Sequence, residues 1–284
     1  MAIVKIVTDS TADIPKHMID ELGITVVPLK VHFGKETYRD GVDITSKDFY
    51  QKLEGADQLP TTSQPSPVDF VETYKRLHTE DEDVQIISIH LSAALSGTVQ
   101  SALLAQSMLD EKIDITVIDS KQASYGIGII VIAVAEAAKA GKSKEECLAI
   151  AKHLIKNIKI YFLVDTLQYL QKGGRIGKAS AVLGSLLNIK PILSLDENGE
   201  VLAVDKVRGQ KKALGRIFEL LKEFAGNDGV RIGVCHATAE NEALECLKQV
   251  KAEFQVKTEV VTEIGPVIGT HVGPKTIAII MIKS

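Results

Sequence analysis

The chain has 284 residues, enough for one large or two medium domains, each able to bury its own core. Apolar residues make up 45% and charged residues 25%, and the formal net charge is -4 with lysines and arginines dispersed. That balance is globular and argues against nucleic acid or an anionic membrane surface as a partner.

In chain order, residues 2–8 read as a first strand with no leader expected before it, closed by Thr8-Asp9-Ser10-Thr11. Ile14–Leu22 is expected to be helical and Ile24–Phe33 extended, with Gly34–Tyr38 returning as a small hairpin. Thr45–Leu53 reads as a short helix. Leu59–Pro67 is expected to be an irregular loop, because three prolines fall in eight positions. Val68–Leu77 resumes a helical period, and Val84–Ile89 is a continuous apolar run of strand length. Leu95–Leu109 has helical spacing, Ile115–Ile118 is another strand, and Gln122–Ala140 a long apolar helix. The uncharged run from Gln122 to Ala135 is too short to span a bilayer and suits a buried helix, so no stable membrane insertion is expected. Strands alternating with helices predict a parallel, doubly wound α/β sheet.

Ser143 and Glu146 have the spacing of a capping box that opens a helix to about Lys156. This helix is expected to lead from a first domain, 1–156, which includes the small β-hairpin as an insertion, into a second, 157–284. In the second half, Ile158–Val164 is a strand, Thr166–Gln171 a helical turn and Ala179–Leu187 an apolar helix. Ile189–Leu195 and Val201–Val207 are strands joined through Asn198-Gly199, a hairpin signature. Gln210–Phe224 and Ala239–Ala252 read as helices; Val230–Cys235, Gln255–Val261 and Thr276–Ile282 read as strands. A hairpin among crossover units predicts a mixed sheet. Cys147, Cys235 and Cys246 have no metal-ligand spacing and no Cys-x-x-Cys pair, so no metal is expected and a reducing cytoplasm is.

Three segments are small and polar between apolar elements: Thr61–Pro65, Leu91–Thr98 and Ile268–Gly273. Ser96-Gly97-Thr98 falls where a strand gives way to a helix, with Ser96 placed as N-cap. The first N–H groups of a helix lack internal partners and attract an anion, and Gly97 permits close approach. Equally, Ser96 serves only to cap its own helix. Thr62 and Ser63 offer hydroxyls to a carboxylate, or are ordinary turn residues. His271, between two glycines, is an anion donor or a structural histidine. Gly173-Gly174-Arg175 presents either a fixed cation suited to a carboxylate or phosphate, or a helix end with a solvated arginine.

Taken together and in order, these segments resemble the DegV family, the acyl-binding subunits of bacterial fatty acid kinase. The residues carrying the likeness include Val7–Asp13, Thr62–Ser66, Leu91-Ser92, Leu95–Thr98, Gln100–Ala102, Lys172–Ile176, Ile189–Leu193 and Gly269, His271, Gly273 and Pro274. The resemblance implies a Rossmann-like N-terminal domain and a C-terminal α/β domain with a mixed sheet. It implies a lipid-binding subunit and not an enzyme acting alone, with a long-chain fatty acid as ligand and no cofactor. Thr62, Ser63, Ser96, Gly97 and His271 would then hold the carboxylate. Arg175 would stand at the head-group mouth. Arg208, in the basic stretch 206–212, would be a contact for the fatty acid kinase catalytic subunit. Two other readings remain open at this stage. One is a serine hydrolase using Ser96, His271 and an acid such as Asp9, although Leu95–Thr98 lacks the Gly-x-Ser-x-Gly elbow. The other is a nucleotide-binding domain, although neither a Gly-x-Gly-x-x-Gly fingerprint nor a P-loop is present.

Overall fold

The computed structural model describes residues 3–109, 113–184 and 189–284. The chain builds a four-stranded parallel sheet first and a six-stranded mixed sheet second, the α/β architecture expected from the alternation of strands and helices.

In the first part, β1 (Val4–Asp9) is followed by a 3-10 turn, Ser10–Ala12, then α1 (Lys16–Leu22) and β2 (Thr25–Val27). The extended run predicted from Ile24 to Phe33 breaks at Pro28-Leu29. Proline cannot donate to a ladder, and the chain leaves for a separate small sheet made of β3 (Lys30–Phe33), β4 (Glu36–Arg39) and, after α2 (Ser46–Glu54), β5 (Thr61–Ser63). β5 corrects the expectation of an irregular loop. Pro60 and Pro65 flank the strand, so the residues between them keep the N–H groups that pair with β3. Pro67 then sits at the first position of α3 (Pro67–Glu80), where its missing N–H costs nothing. β6 (Gln85–His90), α4 (Thr98–Ser107), β7 (Asp114–Asp119), α5 (Tyr125–Lys139) and α6 (Lys144–Lys156) complete this part, with α6 opened by the Ser143–Glu146 capping box.

The second part runs β8 (Ile158–Leu163), α7 (Gln168–Lys172), a 3-10 segment (Gly177–Val182), β9 (Ile189–Leu195) and β10 (Val201–Arg208). The helix predicted over Ala179–Leu187 is therefore this tighter 3-10 turn as far as Val182, and residues 185–188 lie outside the described residues. Then come α8 (Gln210–Ala225), β11 (Val230–His236), α9 (Glu240–Glu253), β12 (Val256–Glu263), α10 (Pro266–Val272) and β13 (Ile277–Lys283). α10 falls between Val261 and Thr276, where the sequence predicts no element. Its seven residues begin with Pro266 at the first turn.

Strand alternation divides the apolar residues between cores. On β8, Ile160 and Phe162 join the large central cluster, while Tyr161 and Leu163 join the one under α8 and α9. On β13, Ala278 and Ile280 face the centre, and Ile277, Ile279 and Met281 face the other way. α5 lies between the two sheets and is buried on nearly every face, as its unbroken apolar run requires. Gly233 on β11 leaves room for its first residue: a Cβ there would stand 2.2 Å from the Tyr125 ring. Among the described residues no helix is long and apolar enough to cross a membrane.

The strand order β2-β1-β6-β7 winds one way from β1 to β2 and the other way to β6. The crevice of such a sheet opens at the carboxyl ends of the two strands where winding reverses, here beyond Asp9 and His90. The loop from Leu91 to Gly97 and the small sheet both border that opening.

Candidate functional site

A slender cavity runs from this crevice onto the inner face of the second sheet. Its volume is about 80 Å³. Its walls are mostly apolar, and Ser124 and Thr276 are among the polar side chains that also line it. The shaft is apolar, formed by Ile160 and Phe162 of β8, Leu195 of β9, Val201 of β10 and Ala278 of β13, with Leu29 and Leu91 opposite. The register explains why they converge: Ala278 is opposite Phe162, and Val201 is opposite Leu195. Thr62, Ser63, Gln64, Ser96, Arg175 and His271 supply polar atoms to the lining.

Thr62 and Ser63 are consecutive on β5 and leave it on opposite faces. Thr62 Oγ1 lies 2.8 Å from His271 Nε2, joining the small sheet to α10 across 209 positions of sequence. Ser63 Oγ lies 2.9 Å from His32 Nε2, and the other ring nitrogen of His32 is 2.9 Å from Thr37 Oγ1. Ser96 is not the helix cap expected of it. α4 starts one residue later, with Gly97 at the N-cap and no side-chain hydrogen bond there. Ser96 Oγ is instead 2.9 Å from Thr98 Oγ1. The first turn of α4 thus carries no side-chain cap, and its outward N–H groups suit an anion. Gly97 packs against Gln64 so closely that a Cβ would stand 2.7 Å from its Nε2. Gln64, within the Thr61–Pro65 segment, lines the cavity as well. Its amide is a further donor at the cavity. His32 has no signal in the sequence beyond a polar side chain in an apolar strand.

Arg175 reaches the cavity from the turn after α7. Its Nε donates to Leu95 O (3.1 Å) and its Nη1 to Gly173 O (2.7 Å), so the guanidinium ties the β6–α4 loop to the second part. Its remaining N–H groups are available to a ligand. Arg208 stands apart. It ends β10, is exposed, and does not line the cavity.

His271 is pushed down to about 4, by burial first and by the Arg175 cation second, so it is neutral at physiological pH. A neutral imidazole carries one proton. His271 Nδ1 is buried without a hydrogen-bond partner, facing Gly173, where a Cβ would lie only 2.3 Å away. A proton on Nδ1 would bury an unpaired donor, so the bonding pattern assigns it to Nε2. Nε2–H then donates to Thr62, which leaves the Thr62 hydroxyl proton free for an acceptor. A carboxylate, which only accepts, matches that polarity.

The serine hydrolase arrangement is not assembled. Asp9 is fully buried and accepts from His90 Nδ1 and Leu91 N, each at 3.0 Å, while His271 bonds Thr62 and Ser96 bonds Thr98. No three of its proposed members meet. Among the described residues no group of three or more His, Cys, Asp and Glu is placed to hold a metal ion.

The sequence profile described as an uncharacterised protein of the DegV family matches residues 3–284. The DegV domain-containing protein of Halalkalibacterium halodurans is 42% identical over 288 residues, covering 98% of each chain. The structure of a DegV family protein from Thermus thermophilus, described for its fatty acid binding, is 38% identical. It covers 99% of this chain and 100% of its own, with a TM-score of 0.92. A stearic acid-binding protein from Eubacterium ventriosum is 29% identical, covers 100% of this chain and 98% of its own, and gives a TM-score of 0.90.

Proposed function

The chain belongs to the DegV family, and from that premise we propose that it carries a long-chain fatty acid. Its carboxylate would be held by Thr62, Ser63, Ser96, the N–H side of Gly97 and His271, with Arg175 at the mouth. The observation that carries this reading is the cavity's division into an apolar shaft and a hydroxyl-rich head beside an uncapped helix start. Burying the tail contributes about 0.8 kcal/mol per methylene, so a sixteen-carbon chain offers on the order of 12 kcal/mol before ordering costs. A hydrogen bond from a hydroxyl to a charged group contributes about 1.5–3 kcal/mol. The tail therefore sets affinity, and the head sets orientation.

Orientation matters because we take the carrier to act with a separate ATP-dependent fatty acid kinase. In that step a carboxylate oxygen attacks the γ-phosphorus, the bond to ADP breaks, and an acyl phosphate forms. The partner supplies ATP and metal, and this chain supplies a fixed carboxylate. Arg208 and the basic stretch 206–212 would face the kinase. The three free, buried cysteines fit a cytoplasmic setting. We also place a domain boundary where α6 hands over to β8. Titration of the delipidated protein with palmitate and, separately, with ATP tests the carrier reading. Saturable palmitate binding with no ATP binding supports it; the reverse result rejects it.

A further inference from the structure

α10 is one wall of the cavity. Val267, Ile268, His271 and Val272 all lie on the lining, as does Ile264 just before the helix. At its far end His271 meets Thr62. Its beginning is fixed by groups from the first part of the chain. The Gly265 N–H donates to Asp13 Oδ1 (3.0 Å), the Val267 N–H is directed at Asp40, and Tyr50 Oη donates to Ile264 O (3.0 Å). Gly265 lies so close that a Cβ there would stand 2.7 Å from Asp13 Oδ1 and 3.4 Å from Asp40 Oδ1. Ser124 Oγ donates to Asp13 Oδ2 (2.5 Å) and Ser10 Oγ to Asp40 Oδ2 (3.0 Å). Asp13 and Asp40 are only 9% and 4% exposed, and among the described residues neither forms an ion pair. Two buried acids without a cation are costly to ionise.

We propose that Asp13 and Asp40 are positioning residues for the lipid site, which hold the start of α10 and so set His271 and the wall beside it against Thr62. This rests on the fatty acid reading of the cavity. α10 is two turns long, so a shift at Gly265–Val267 is passed on to His271. Hydrogen bonds to an ionised carboxylate are roughly twice as strong as neutral ones, so the hold tightens when Asp40 is ionised. Asp40 faces Asp9 at the end of β1, Asp13, and Tyr50 of α2, with Glu263 of β12 and Lys16 of α1 on the same cleft. Burial, its largest influence, brings Asp40 up to about 7, and burial likewise holds Asp13 well above the carboxylate range. For an acid raised in the folded state, stability is full below the unfolded value and is lost as pH rises through the folded one. Asp40's contributions to stability and to lipid affinity should therefore move in opposite directions as pH rises toward 7. A residue with only a structural role would move them together.

The test is palmitate binding by the full-length protein at pH 6 and pH 8, with denaturant unfolding from pH 4 to pH 8, for the natural protein, Asp40→Asn and Asp13→Asn. The titration of palmitate itself is common to all three and cancels in the comparison. The natural protein should gain affinity toward pH 8 relative to Asp40→Asn, which should bind about 10-fold more weakly at pH 8, as expected for one charge-assisted hydrogen bond. Asp40→Asn should also lose the stability decline between pH 4 and 7. A folded Asp40→Asn with unchanged affinity and unchanged pH response overturns the proposal, and Asp40 decides it even where Asp13→Asn does not fold. If the natural protein binds no palmitate at either pH, the carrier reading falls and takes this inference with it.

Discussion

The two ends of the cavity are built on opposite principles. The shaft is laid on the inner face of regular strands, where Phe162, Ala278 and Leu195 come into line because side chains alternate and register is fixed by the sheet. The head is assembled from short pieces that are far apart in sequence: β5, the first turn of α4, the turn after α7, and α10. Strand geometry gives a continuous apolar surface that is indifferent to which methylene lies where. Short elements tied by individual hydrogen bonds give fixed donors at fixed points. The first arrangement suits affinity, and the second suits orientation.

That contrast is most easily broken from the shaft. Ala278→Phe should obstruct the channel and exclude several methylenes, lowering palmitate affinity on the order of 1,000-fold. The overpacking should cost stability only about 1–3 kcal/mol, checked by denaturant unfolding. Unchanged affinity would mean that the tail lies elsewhere. At the head, Thr62→Val removes one donor to a charged group and should weaken binding about 10- to 100-fold in the same titration. Ser96→Ala should reduce acyl phosphate formation with a partner kinase more than it reduces lipid retention; equal losses would erase the division of labour between the two ends.

A smaller effect is expected from His271 in the unliganded protein. Its protonation is depressed in the folded state to about 4, so the unfolded chain takes up the proton first as pH falls. Its contribution to stability is present above the ordinary histidine value and is lost as pH falls through the window down to about 4. His271→Gln should lack that decline in thermal unfolding measured across the window. The smallest effect belongs to Arg208, which is exposed and away from the cavity. Arg208→Ala should leave palmitate affinity within about 2-fold, since a solvated arginine contributes little to a distant buried site.

Much of the shaft was legible in the sequence as strands with apolar alternation, but not which strands are neighbours. The sequence order β8, β9, β10, β11, β12, β13 becomes β10-β9-β8-β13-β11-β12 in space, and only that rearrangement places Ala278 beside Phe162. At the head the residue types were legible and their partners were not. Thr62, Ser96 and His271 stood out as small polar positions, yet the Thr62–His271 contact closes over 209 positions, and local pattern carries no trace of it. Two local readings failed for physical reasons. Prolines flanking Thr61–Ser63 suggested a loop, although edge strands tolerate proline at their limits. Ser96 looked like a cap, but the helix begins at Thr98 and its N-cap is Gly97. His32, Asp13 and Asp40 act through neighbours brought in by the fold, and single polar residues in apolar surroundings do not announce whom they will meet.

Native mass spectrometry of the purified protein, released from an expression host without added lipid, tests the central claim most directly. The account predicts a species heavier than the polypeptide by the mass of one long-chain fatty acid, reduced in Ala278→Phe. Bare polypeptide alone, persisting after incubation with palmitate, would contradict it.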